Sequence, residues 1–139
     1  MPTLRTAISA AASALDVNRA RLEVAVSNLA NAESTGKGAP YRRREVVLEA
    51  MQVGGDRGGS AGTFGVRVAS IVEDSSEFPE RFEPSHPDAD ERGFVKVPNV
   101  DIPEEMVDML GAARAYQANL AAITMIRETI QRALEIGRA

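Results

Sequence analysis

The sequence predicts a mainly α fold: long N- and C-terminal helices forming an antiparallel coiled coil, with a small irregular and β-hairpin middle region. Three observations predict it. A four-and-three alternation of seam positions runs without a slip from Leu4 to Leu29, and a second runs from Met106 to Leu134. Between them, β-branched residues and Gly/Pro punctuation replace the helical rhythm. The 139 residues thus divide into an N-terminal helix (1–35), a middle β/loop segment (36–100) and a C-terminal helix (101–139).

The first stripe reads Leu4, Ile8, Ala11, Leu15, Asn18, Leu22, Ala25, Leu29, with Asn18 its one polar member. Alanine-rich flanks favour helix and no Gly or Pro interrupts, so a rod of roughly 40 Å is expected. It should stop near Asn31 to Thr35, with Gly36 and Gly38 as stop signals. Tyr41–Met51, Gly65–Glu73 and Phe94–Val97 then read as short strands, the last entered through Gly93. The Gly-rich stretch from Val53 to Gly65 is expected to be mobile, and Pro79, Pro84, Pro87 and Pro98 leave little room for long elements. The second helix opens with Asp101 as N-cap, Pro103 in the first turn, and Glu104 and Glu105 at the positive end of its dipole. Its stripe reads Met106, Met109, Ala113, Tyr116, Leu120, Ile123, Arg127, Ile130, Leu134, fraying near Gly137.

Composition narrows the function. A net charge of −4 with acids and bases interspersed argues against a nucleic-acid binder. The one basic run, Arg42-Arg43-Arg44, is followed at once by Glu45 and reads as a solvated loop edge. Cysteine is absent, which removes disulfides, thiolate metal sites and thiol nucleophiles. No cleavable secretory signal is visible, and the charge-poor run from Ala115 to Ile126 is too short for a membrane span.

The distribution of charge is more informative than its total. From Leu110 to Ile126 the only charged residue is Arg114, so this helix lacks the polar face that normally opposes an apolar stripe. The N-terminal helix carries a second small-residue flank of Ala7, Ala10, Ala14, Val17 and Val24. Two helices paired only with each other bury one stripe apiece. At about 25 cal/mol per Å² of apolar area, a bare second stripe forgoes several kcal/mol of a net stability of about 5–15 kcal/mol. Both helices are therefore expected to pack against other chains. Asn18 and Arg127, which interrupt the seams, either face water or fix register and orientation.

Chemistry is hard to find. His86, Asp88, Asp90 and Glu91 could gather a divalent ion, but without the spacing of a Ca²⁺ loop, and a solvent-facing acidic turn is the preferred reading. No nucleophile elbow accompanies the histidine, and Gly54-Gly55 and Gly58-Gly59 precede no Lys-Ser/Thr pair. No catalytic, cofactor or metal residue is assigned.

Three segments resemble one known family. "SNLANAEST" (Ser27 to Thr35), "EPSHPDADERGFVKVPNVDIPEEM" (Glu83 to Met106) and the Arg114-x-Tyr116-x-Ala118-Asn119 pattern are similar to the bacterial flagellar axial proteins, most closely the short proximal-rod subunits. The resemblance implies paired terminal helices stacking helically into a torque-transmitting tube, and export through the flagellar type III apparatus without signal cleavage. It also implies residence in the basal-body rod across the periplasm. The implied partners are copies of the chain, other proximal and distal rod subunits and the MS-ring/rod adaptor. No cofactor, nucleic acid or membrane insertion is implied. On this reading the assembly interface draws on Leu15, Asn18, Leu22, Ser27, Asn28, Leu29, Asn31, Arg114, Tyr116, Gln117, Asn119, Leu120, Ile123 and Arg127. Asn31 is expected to cap the first helix and Asn28 to specify an interface. The alternatives are a different axial subunit or a two-helix adaptor or export chaperone binding one partner stoichiometrically.

Overall fold

A computed structural model describes residues 4–35, 39–54 and 62–138. Two long helices, α1 (Leu4–Ala30) and α2 (Ile102–Ile136), enclose four strands in the chain: β1 (Arg44–Gly54), β2 (Thr63–Glu73), β3 (Glu80–Phe82) and β4 (Phe94–Lys96). The expected stop signals Gly36 and Gly38, and most of the Gly-rich stretch, lie outside the described residues.

Helix α1 closes where its amides run out. The Asn31 side chain donates to the Ser27 carbonyl at 2.8 Å, adding to the bond that the same carbonyl accepts from the Asn31 backbone N–H at 3.2 Å. Helix α2 opens as its residues dictate: Asp101 is extended (φ −90°, ψ 107°) and its carboxylate accepts from the Glu104 N–H at 3.0 Å. Pro103 sits in the first turn, where its missing N–H leaves no bond unmade. The helices run antiparallel. Ala25 shares a cleft with Glu105 and Asp108 near the start of α2, whereas Arg19, nearly two turns earlier in α1, is within electrostatic reach of Tyr116.

The seam of α2 is not the one expected. Glu105 and Ala112 are buried and Met109, Tyr116, Asn119, Ile123, Ile126 and Ile130 are half-buried, whereas Met106, Leu120, Arg127 and Leu134 are exposed. Four of the nine predicted stripe residues therefore belong to the flank. Apolar residues occupy both sides of α2, so periodicity alone could not choose between two stripes one residue apart. In α1, Asn18 is buried and donates to the Ala14 carbonyl at 2.8 Å.

Strands β1 and β2 form a long antiparallel hairpin from Arg44↔Glu73 to Gly54↔Thr63, with irregularities after Val47 and Gln52. The hairpin lies along α1. Its approach is closest at Gly65, where a Cβ would meet the Ser13 hydroxyl at 2.6 Å, and the same hydroxyl accepts from the Val66 N–H at 3.2 Å. Val17 and Val24 line the clefts beneath the strands. The protein's own hairpin thus covers part of the second stripe of α1, at Val17 and Val24, which was expected to seek another chain.

Strands β3 and β4 pair over three residues, Glu80↔Lys96 to Phe82↔Phe94, with the two phenylalanine rings edge to face at 5.2 Å. Gly93 turns the chain into β4 at φ +82°, a conformation that L side chains rarely adopt, with Phe82 and Pro84 against its α-carbon. The three-residue β3 was not anticipated.

Candidate assembly interface

The end of α1, the start of the hairpin and the start of α2 meet at one charged knot. Arg43 is largely buried, and its Nε donates to Glu105 Oε1 at 2.5 Å. Glu104, Asp108 and Asp74 stand 3.7, 3.8 and 4.0 Å from the same guanidinium. Burial alone would weaken the charge on Arg43. The hydrogen bond and charge of Glu105, with Glu104 and Glu45 behind it, outweigh burial and raise its pKa above the ordinary arginine value. Glu105 is 2% exposed and therefore depends on this cation. Beside it, Arg42 donates to the carbonyls of Asp74 and Ser76 at 2.9 and 3.1 Å and lies over the Phe78 ring at 4.3 Å. The sequence reading of Arg42–Arg44 as a solvated loop edge is corrected here: Arg43 and Arg42 are structural bonds, and only Arg44 is exposed.

Asn28 forms the second bracket. It is 1% exposed; its Nδ2 donates to the Arg44 carbonyl, and its Oδ1 accepts from the Arg44 N–H and the Tyr41 hydroxyl, each at 2.9 Å. The amide side chain thus mimics a strand, pairing both backbone groups of the first residue of β1. Ser27 adds a hydroxyl contact to Tyr41 at 3.3 Å. Asn28 is turned inward, toward its own chain, rather than presented to a neighbour as expected.

The opposite side of α2 has no such company. Met106, Val107, Leu110, Leu120 and Met125 are exposed, Leu110 at 51% and Met125 at 63%. Arg114, Gln117, Ala118 and Ala121 lie among them, and Arg114 has no ion pair among the described residues. From Gln131 to Arg138 every residue is exposed, including Leu134 and Ile136. Among the described residues the buried apolar core is small: Val17, Ala25, Ala32, Val95 and Ala112. The chain exposes 9831 Å², against roughly 7,000 Å² for a compact monomer of its 14.9 kDa mass. An elongated body with a bare apolar helix face suits packing against other subunits.

Comparison with known proteins decides what kind of assembly this is. The family model described as "Flagellar basal body rod FlgEFG protein C-terminal" matches residues 91–136, from the turn before β4 to the end of α2. A flagellar basal-body rod protein FlgC from Bacillus subtilis is 39% identical over 94% of this chain and 96% of its own length. Its counterpart in Salmonella typhimurium is 43% identical, over 92% of this chain and 93% of its own. The one from Agrobacterium fabrum is 37% identical over 100% and 99%.

The chain belongs to the FlgC family. It is a structural subunit of the flagellar basal-body rod, as the resemblance of its three motifs implied. No described helix is long and apolar enough to cross a membrane.

Within this FlgC-family chain, the fourteen residues expected at an interface separate into two groups. Asn18 and Asn28 are buried, and Leu15, Leu22, Ser27, Leu29, Asn31, Tyr116, Asn119 and Ile123 are half-buried inside the subunit; Asn119 donates to the Ala115 carbonyl at 2.8 Å. Arg114, Gln117, Leu120 and Arg127 face solvent. Sequence reasoning missed Arg43, Glu105 and Tyr41. Their partners are distant in the chain, 62 residues for Arg43 and Glu105, so no local pattern carries the signal.

The lone histidine is also accounted for. His86 Nδ1 accepts from the Asp88 N–H at 3.1 Å, and Nε2 stands 3.4 Å from the Thr35 hydroxyl. The geometry ties the 84–90 turn to the segment after α1.

Proposed function

We propose that this subunit forms part of the proximal rod, assembling helically through its two terminal helices into the torque-transmitting shaft, and that it has no enzymatic activity. The supporting observation is the apolar outer face of α2, which the subunit itself leaves bare. A surface of this kind that does not close on itself generates a helical array. Its partners are copies of the chain and other proximal and distal rod subunits, with the MS-ring/rod adaptor at the base. It reaches them through the flagellar type III export apparatus without signal cleavage.

The interface residues take two roles in this reading. Arg114, Gln117, Leu120 and Arg127 face neighbouring subunits. Leu15, Asn18, Leu22, Ser27, Asn28, Leu29, Asn31, Tyr116, Asn119 and Ile123 fix the shape that the outer face presents. The residue ranges 1–35, 36–100 and 101–139 correspond to the first core helix, the hairpin-bearing middle and the second core helix. A density map of isolated basal bodies, traced for this sequence, tests the proposal. Repeated copies in the proximal rod are expected; a stable one-to-one complex outside the rod would favour the adaptor reading instead.

A further inference from the structure

We infer that adjacent copies join head to tail in one defined way: the outer ridge of α2 in one copy seats in the groove between α1 and the hairpin of the next, with Arg114 of the ridge pairing with Asp16 of the groove. This rests on the rod reading above and names the two mating surfaces. The groove has a volume of about 460 Å³ and is lined mainly by apolar side chains, among them Ala12, Val17, Met51, Val53, Val66 and Val68. Asp16 lies at its mouth and is exposed.

The ridge is its complement in apolar character and in the sign of its charge. Met106, Leu110, Arg114, Gln117 and Ala121 succeed one another at helical spacings of four and three on the side of α2 away from its seam. Arg114 is the only charge between Leu110 and Ile126. Arg67 also lines the groove but pairs with Glu49 at 2.8 Å, so Asp16 is the charge left to meet Arg114, and that pair defines one register. Opposite charges placed this way select orientation more than they add affinity.

The ridge lies on α2 and the groove between α1 and the hairpin, so the contact joins two different surfaces and is heterologous. A ridge-into-groove contact leaves one groove and one ridge free at the ends of every pair, so addition continues.

The absence of cysteine permits a direct test by cross-linking. Basal bodies are isolated from cells whose rod is built from a mixture of Asp16→Cys copies and Arg114→Cys copies, then treated with a short bis-maleimide that bridges the reach of an Arg–Asp pair, which a direct disulfide does not. A cross-linked dimer is expected from the mixture, a ladder of multimers from the double variant, and monomers from either single variant alone. A dimer from either single variant would show a symmetric contact and overturn the proposal. Rods that assemble from the mixture without cross-linking would also overturn it while leaving the rod reading intact. Failure of the parent chain to appear in basal bodies would instead refute the rod reading. If a cysteine variant does not assemble, charge exchange serves: Asp16→Arg and Arg114→Asp should each reduce motility, and the two together should restore it. No restoration would count against the pairing.

Discussion

The two long helices are alike in composition but not in their surroundings. Helix α1 is covered twice, by α2 on one side and by the hairpin on another, and Asn28 and Ser13 bond to the strands across the second contact. Helix α2 is covered once. Its first turns are locked by Asp101 and by the Arg43–Glu105 pair, while its outer face and last two turns meet only solvent. The contrast shows where the free energy of folding and the capacity for assembly reside. The subunit is held together around α1 and the start of α2, and the rest of α2 is surface awaiting a neighbour.

Substitutions at the knot break the covered side most severely. Arg43→Ala leaves Glu105 buried without its cation, and chemical denaturation should register a loss of about 3–5 kcal/mol. For a chain with so small a core this is expected to abolish cooperative unfolding. Asn28→Ala strands both backbone groups of Arg44 and leaves the Tyr41 hydroxyl only Ser27; a loss of about 2–3 kcal/mol is expected in the same assay. Asn28→Asp should not restore stability, because the carboxylate cannot donate to the Arg44 carbonyl.

A matched pair on α2 sharpens the comparison between its two faces. Ile123→Ala on the half-buried seam should destabilise the isolated subunit by about 1–2 kcal/mol, below the range for fully buried sites. Leu120→Ala on the outer face should stay within about 0.5 kcal/mol in thermal melts, yet lower the yield of assembled rods. Equal effects on stability would erase the distinction between seam and ridge.

The smallest effect concerns the β3–β4 turn and its pH dependence. The Asp90 carboxylate accepts from the Phe94 and Arg92 N–H groups, both at 2.9 Å. Chiefly the Phe94 bond, with Arg92 adding to it, holds its pKa below the ordinary aspartate value. A depressed folded-state pKa contributes stability that is present above the unfolded value and lost as pH falls through the folded one. The turn should therefore loosen only in acid, below the usual aspartate range, and the Asp90 carboxyl shift followed by NMR is expected to titrate there. Titration at or above the ordinary value would remove this contribution.

Much of this architecture could be read in the sequence, and the failures share a cause. Local signals worked where the physics is local: Asp101, Pro103 and Glu104 specify a helix start within four residues, and β-branched runs located three of the four strands. Non-local signals did not. Arg43 looked like a solvated cation because its partner lies on another element, and Asn28 looked like an interface amide because Tyr41 and Arg44 are brought to it only by the fold. The α2 seam was misplaced by one residue at alternate positions because the helix is apolar on both faces. That ambiguity in the sequence is itself the functional signal, since a helix with a committed solvent side would have shown it.

Methionine oxidation followed by mass spectrometry tests the central claim most directly, because α2 carries its own reporters. Met106 and Met125 are exposed on the outer face, and Met109 is half-buried in the seam. In the isolated subunit Met106 and Met125 should oxidise well ahead of Met109, and in intact basal bodies both should become protected. Oxidation of Met106 and Met125 at the same rate in the rod as in the free chain would contradict the assignment of this face to neighbouring subunits.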